Sequence, residues 1–148
     1  MNEKYENVDA VCAVLAPHRS KNMIDLVLTT FIPAYEDLNS DYASPPDDPS
    51  RTFMSADEMI DYFISNSSCA QTFFWNQYKE NPDGIMVGAF FTTDEHLIIS
   101  LTLHADGERE STYLAKLKAL LGSDVGVISY TDPPPFDDGA DFIRRYGT

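Results

Sequence analysis

At 148 residues, with 43% apolar side chains that include nine Phe, eight Tyr and one Trp, the chain has the length and composition of one folded domain. Its 24 Asp and Glu against 10 Lys and Arg give a formal net charge of −14. That balance argues against nucleic acid or an anionic membrane as a ligand, since both require a basic face, and it favours a basic protein as partner. Intrinsic disorder requires low hydrophobicity together with high net charge, and only the second condition is met.

In chain order, Asn2 to Asn7 lack the basic start and apolar core of a signal peptide, and no apolar run reaches the roughly 18 residues of a membrane span, so a cytoplasmic location is expected. Val8, Val11, Cys12 and Leu15 match a helical stripe over Val8–Ala16 and favour a helix there, although a short valine-rich segment also suits a strand. Pro17 ends it in either case. From Ser20, a candidate N-cap, to about Leu38, the residues Ile24, Val27, Leu28, Phe31, Tyr35 and Leu38 share one helical face. Pro33 should kink that helix or split it. Asn39–Thr52, with Pro45, Pro46 and Pro49, reads as an exposed connection.

Ser55-Ala56-Asp57-Glu58 is a capping box, and the helix it opens, to about Ser65, buries Met59, Ile60, Phe63 and Ile64. A β-meander follows. Its strands are Cys69–Tyr78, Ile85–Phe91 and His96–Leu103, with turns at Asn81-Pro82-Asp83-Gly84 and Thr92-Thr93-Asp94-Glu95. In the third strand Leu97, Ile99, Leu101 and Leu103 alternate with His96, Ser100, Thr102 and His104, which predicts one core face and one mostly polar face. Ser111–Leu121 is a helix with Leu114, Leu117, Leu120 and Leu121 inward and Gly122 as its C-terminal stop. Val125–Tyr130 is a fourth strand. Pro133-Pro134-Pro135 then holds the chain extended, ahead of a short terminal helix or turn at Phe142–Tyr146. The fold class is α+β: N-terminal helices, an antiparallel three-stranded meander, then a helix and a fourth strand, as a single domain over residues 1–148.

Motifs for chemistry are absent. There is no phosphate-binding glycine loop, nucleophile elbow, HExxH or paired-cysteine zinc motif. Cys12 and Cys69, far apart among apolar neighbours, suit buried free thiols. His96 and His104 lie about 26 Å apart along an extended strand, too far to share a metal, and read as solvated turn histidines. His18, in a loop, is less informative still. Asp41, Asp47 and Asp48 lack the glycine and bidentate glutamate of a calcium loop. No catalytic residue, cofactor or metal is expected. Trp75 is either core or a binding hot spot.

In size, charge and layout the chain resembles the small acidic immunity proteins of bacterial contact-dependent and type VI polymorphic-toxin systems. That resemblance implies tight binding to a cognate toxin, occlusion of its active site, and no catalytic residue of its own. The expected function is an acidic, non-enzymatic inhibitor that neutralises a basic toxin domain such as a nuclease. Alternatives are an acidic nucleic-acid mimic, such as a phage anti-defence protein, and a small α+β enzyme with a cone-shaped pocket. Acidity that serves solubility alone is the plain alternative to all of them.

Two acidic segments flanking prolines are the expected contact surface. The first carries Glu36, Asp37, Asp41, Asp47 and Asp48; the second carries Asp132, Phe136, Asp137, Asp138 and Asp141. Proline stiffening lowers the entropy lost on binding, and Phe136 would be an apolar anchor beside charges that pair with Lys or Arg. The competing possibility is a tail that covers the sheet, with Phe136 tucked into the core.

Overall fold

The computed structural model describes residues 7–38 and 53–147. In chain order they form β1 (Asp9–Leu15), α1 (Lys21–Phe31), β2 (Glu36–Asp37), α2 (Ala56–Ser65), β3 (Gln71–Asn76), β4 (Met86–Phe91), β5 (Leu97–His104), α3 (Arg109–Leu121), β6 (Gly126–Tyr130) and α4 (Gly139–Tyr146). The strands make one antiparallel six-stranded sheet in the order β2-β3-β4-β5-β1-β6. The expected meander is the β3-β4-β5 part of it. Gly84 at φ +66° and Glu95 at φ +73° supply the left-handed residues of the two turns.

The N-terminal element is a strand, not a helix. β1 lies between β5 and β6, and Ala10, Val11, Cys12, Ala13 and Val14 are all buried. A strand covered on both faces carries a continuous apolar run, and such a run satisfies the helical spacing by default. The helix expected to run to about Leu38 stops at Phe31, ahead of Pro33. Pro33 disfavours helical backbone at Ile32, whose φ and ψ are −139° and 68°, and the chain turns into the short edge strand β2. Ser20 precedes α1 with extended backbone, but its side chain makes no capping bond.

The third meander strand also departs from its expected two-sided character. Leu97, Ile99, Leu101 and Leu103 join a core shared with α1 and α2 through Ile24, Val27, Leu28, Met59, Ile60 and Phe63. α3 closes that face with Leu117 and Leu121, and Trp75, 3% exposed, belongs to this core. On the opposite face Ile98 is fully buried against Ala13 and Phe142 of α4, with Phe90, Phe136, Val127 and Tyr146 around them. Ser100 on that face is 1% exposed. One terminal helix thus covers part of what alternation marks as the wet side. Burying the Phe142 ring contributes about 2–3 kcal/mol towards holding α4 there.

Two capping arrangements start these helices in the same way. In α2 the Glu58 N–H donates to Ser55 Oγ at 3.1 Å, while Glu58 Oε2 accepts from the Met54 N–H at 3.0 Å, one residue before the cap. In α4 the Asp141 N–H donates to Asp138 Oδ1 at 2.8 Å, and Asp141 Oδ2 accepts from the Asp137 N–H at 3.0 Å. α4 has a second anion at its start. Asp94, in the β4–β5 turn, accepts from the N–H groups of Gly139 and Ala140, each at 2.8 Å. The ring of His96 lies where any Cβ on Gly139 would fall, so only glycine lets the helix approach the turn. Replacing Gly139 by Ala should cost about 1–3 kcal/mol in urea unfolding, and His96→Gly in the same chain, which removes the facing Cβ as well as the ring, should recover part of it. Additive losses in the double variant would show that this contact does not set the docking.

Arg19 ties the sheet to the helices. Its guanidinium donates to the carbonyls of Phe63 (2.7 and 3.2 Å), Asn66 (3.3 Å), Cys69 (2.9 Å), Thr92 (2.7 Å) and His96 (3.1 Å). It also lies 5.0 Å from the centre of the Phe91 ring. Its donors thus satisfy the end of α2, the approach to β3 and both sides of the β4–β5 turn. Arg19→Lys keeps the charge and loses the planar fork, so a loss of about 2–4 kcal/mol in denaturant unfolding is expected. A loss below about 1 kcal/mol would mean that the carbonyls are as well served without it.

Candidate protein-docking site

Past the end of β6 the chain makes a tight turn at Thr131, where φ is +71° and the Asp132 N–H donates to the Tyr130 carbonyl at 2.8 Å. The proline segment then crosses to the end of the sheet where β3 begins and β4 finishes. Phe136 lands edge-on to Phe90 (centroids 6.1 Å apart) and to Phe142 (5.4 Å), and the Tyr146 hydroxyl donates to the Pro135 carbonyl at 2.7 Å. This crossing leaves a groove of about 340 Å³ lined by Ala70, Gln71, Thr72, Phe90, Thr93, Phe136 and Asp137, among others. Its walls are aromatic and threonine side chains, and exposed Asp137 stands at its mouth. The volume is at the small end of the roughly 300–1,000 Å³ of ligand sites, which suits one large side chain of a partner.

A second groove, of about 270 Å³, is lined by Ala34, Glu36, Gln77, Tyr78 and Lys79. The two lie at opposite ends of β3: Ala70–Thr72 borders the first and Gln77–Lys79 the second. At the standard strand rise they are about 20 Å apart. β2 runs beside the second, with Glu36 opposite Asn76 and Asp37 opposite Trp75. Gln77 fixes that corner by accepting from the Ala34 N–H at 2.7 Å and donating to the Lys79 carbonyl at 2.8 Å.

The expected contact residues therefore divide. Glu36 and Asp37 are exposed on the edge strand, and Phe136 and Asp137 border the first groove. Asp41, Asp47 and Asp48 lie outside the described residues. Asp132 is exposed but sits beyond β6, at the other edge of the sheet from β2. Asp138 and Asp141 do not present free carboxylates. Asp138 caps α4, and Asp141, only 7% exposed, pairs with Arg144 and with Arg145 Nε at 2.8 Å. Helix capping claims these two acids because a helix start leaves N–H groups that a carboxylate satisfies. Phe136 is half-buried and packs against the second core while it lines the groove, the covering position that was the alternative to a contact role. Gln71, Thr72, Thr93 and Tyr78 are groove residues that no sequence signal marked; Tyr78, 67% exposed, had only its aromatic character to suggest a contact role.

Among the described residues, most other buried polar groups are held by partners within the chain. Glu110 is 0% exposed, yet its carboxylate accepts from the N–H groups of Asp106 (3.0 Å) and Gly107 (3.0 Å) and from the Tyr130 hydroxyl (2.8 Å). Burial pushes its pKa up, and those hydrogen bonds more than offset it, so the group stays ionised below the usual value. Cys12 is the reverse case: burial, aided by the charge of Glu110, pushes its thiol up to about 12, which leaves it unreactive. The Tyr113 hydroxyl donates to Asp83 Oδ2 at 2.6 Å, and Arg109 Nε lies 3.2 Å from the same carboxylate, which anchors the start of α3. His96 is half-buried rather than solvated, its Nδ1 3.3 Å from Asp94 Oδ1 without hydrogen-bond alignment; His104 is exposed, 3.3 Å from Asp9. Among the described residues no group of three or more His, Cys, Asp or Glu is placed to hold a metal, and no helix is long and apolar enough to cross a membrane.

Comparison with known proteins adds no relative: the chain matches no family, no curated protein and no solved structure.

The acids that dock α4 give a pH dependence of known sign. Burial raises the Asp94 pKa, but the Thr92 hydroxyl and the two N–H groups of α4 overcome it and hold the carboxyl well below its ordinary 3.8. The Asp137 N–H and the two arginines hold Asp141 at about 2. Both pKa values are lower in the folded chain, so their contribution is complete above the unfolded value and declines as pH falls below 3.8. Amide exchange in α4 should therefore lose protection between pH 4 and 2 before the β4–β5 ladder does. Asp94→Asn should weaken α4 protection at neutral pH and flatten this acid limb. An α4 that loses protection only together with the sheet would contradict the assignment.

Proposed function

We propose that the chain is an acidic, non-enzymatic binding protein that neutralises a basic toxin domain, a nuclease, by covering its active site, in the manner of the bacterial immunity proteins it resembles. The observation that carries this reading is the aromatic groove of Phe90 and Phe136 with Asp137 at its mouth, in a chain of net charge −14. A nuclease must hold phosphate with Lys or Arg, so its active-site surface attracts an acidic cover over long range. At contact, a Lys or Arg side chain enters the groove, its alkyl stem against the two Phe rings and its charge beside Asp137. Glu36 and Asp37, along β3 from that point, meet further basic groups. No covalent step is required, because burial of the toxin's phosphate-binding residues suffices. The partner is thus a protein, with no direct nucleic-acid or membrane contact, and the compartment is the cytoplasm, where a toxin of this kind acts.

The test is co-expression with the product of the adjoining gene. That product alone should arrest growth, the chain should relieve the arrest, and the purified pair should associate at a rate that falls steeply with salt. Glu36→Lys combined with Asp137→Lys should lower affinity by about tenfold or more with little change in unfolding midpoint, since both positions are exposed. A neighbouring product that is neither toxic nor bound, or an affinity indifferent to both reversals, would sink the proposal.

A further inference from the structure

The two edges of the sheet are built differently. β2, at one edge, is two residues long and both are acids, which is how natural sheets discourage another strand from pairing. β6, at the other edge, is Gly126-Val127-Ile128-Ser129-Tyr130: no charge, no proline, and an unbroken register with β1 from Val14↔Gly126 to Ala10↔Tyr130. Two flanking bonds fix which groups face β1. The Leu15 N–H donates to the Val125 carbonyl at 2.9 Å, and the Thr131 N–H to the Asp9 carbonyl at 2.8 Å. Val125, Val127, Ser129 and Thr131 therefore turn their backbone groups inward, and Gly126 and Ile128 turn theirs away from the sheet. Among the described residues no strand lies beyond β6.

Exposed acids bracket this neutral strand, Asp124 before it and Asp132 after it. We infer that the outer edge of β6 is a docking edge for an extended segment of a basic protein, which adds as a further antiparallel strand with Lys or Arg near both of its ends. The inference rests on the reading that the partner is basic, and charge also decides between occupants. A second copy pairing antiparallel about Ile128 would set Asp124 of each chain against Asp132 of the other, between molecules that each carry −14. A basic segment meets complementary charge at both ends instead. The backbone groups of Gly126 and Ile128 supply the ladder, and the bracketing carboxylates supply register and choice of partner.

The test uses the full chain with two synthetic heptapeptides, acetyl-Lys-Thr-Val-Thr-Val-Thr-Lys-amide and its counterpart with Glu at both ends, followed by amide exchange and chemical shifts. In the free protein the Ile128 amide should exchange faster than those of Val127 and Ser129. The Lys peptide should protect Gly126 and Ile128 selectively. The Glu peptide should bind at least about tenfold more weakly at low salt, a preference that Asp124→Asn with Asp132→Asn should largely remove. Four results would each overturn the docking edge: an Ile128 amide already protected in the dilute free chain, protection that appears only as light scattering reports a dimer, equal binding of both peptides, and no protection at millimolar Lys peptide. Because the peptides stand in for no particular toxin, such a failure leaves the inhibitor reading to its own co-expression test, and failure of that test leaves the edge measurement standing.

Discussion

Arg19 is the point at which the separate parts of this chain become one structure. Its guanidinium sits among the carbonyls that α2 leaves unsatisfied at its C-terminal end and those on either side of the β4–β5 turn. Those carbonyls carry partial negative charge without a formal anion, and a planar cation with several fixed donors satisfies them together. Burial pushes the Arg19 pKa down, with the nearby charges of Asp94 and Glu95 among the opposing influences. In a chain so rich in carboxylates, it is notable that this cation holds backbone. The reason is chemical: these carbonyls need donors, a carboxylate only accepts, and a guanidinium carries five N–H groups in a fixed fork.

The consequences run outward from that turn. Arg19 holds the carbonyls of Thr92 and His96, and between them Asp94 reaches across to the start of α4. With α4 in place, Phe142 covers Ala13 and Ile98, and the proline segment is drawn over the sheet so that Phe136 meets Phe90. The aromatic groove is a by-product of this docking, since one of its walls belongs to the sheet and the other to the crossing segment. An acid-labile α4 would therefore take the groove with it.

The acidic residues fall into two populations with different physics. Asp94, Asp138, Asp141 and Glu110 accept hydrogen bonds from helix starts or loops, where the backbone is arranged to receive a carboxylate. Glu36, Asp124, Asp132 and Asp137 project into water, where their charge acts at long range and on what approaches. Net charge counts both kinds alike and overstates what is available to a partner. The exposed acids mark both edges of the sheet and the mouth of the groove, which is why we assign recognition to those places and not to the chain's acidity as a whole.

The elements whose identity depends on local chemistry were legible in the sequence. Ser55 with Glu58 marked the start of α2, Asn81 to Gly84 the first hairpin turn, Gly122 the end of α3, and aromatic and alternating residues the meander. Each depends on contacts a few residues apart. The capping pair Asp138 and Asp141 carries no clear sequence signature, because an aspartate stands where a glutamate or glutamine is the usual signal. β1 reads as a helix in the sequence because a strand buried on both faces shows no alternation, and only its neighbours β5 and β6 reveal its state. The second core, the groove, the inward commitment of Asp141 and the role of Arg19 all involve residues brought together from distant parts of the chain. Periodicity records which face of an element is apolar; what covers that face is decided only when the whole chain has packed.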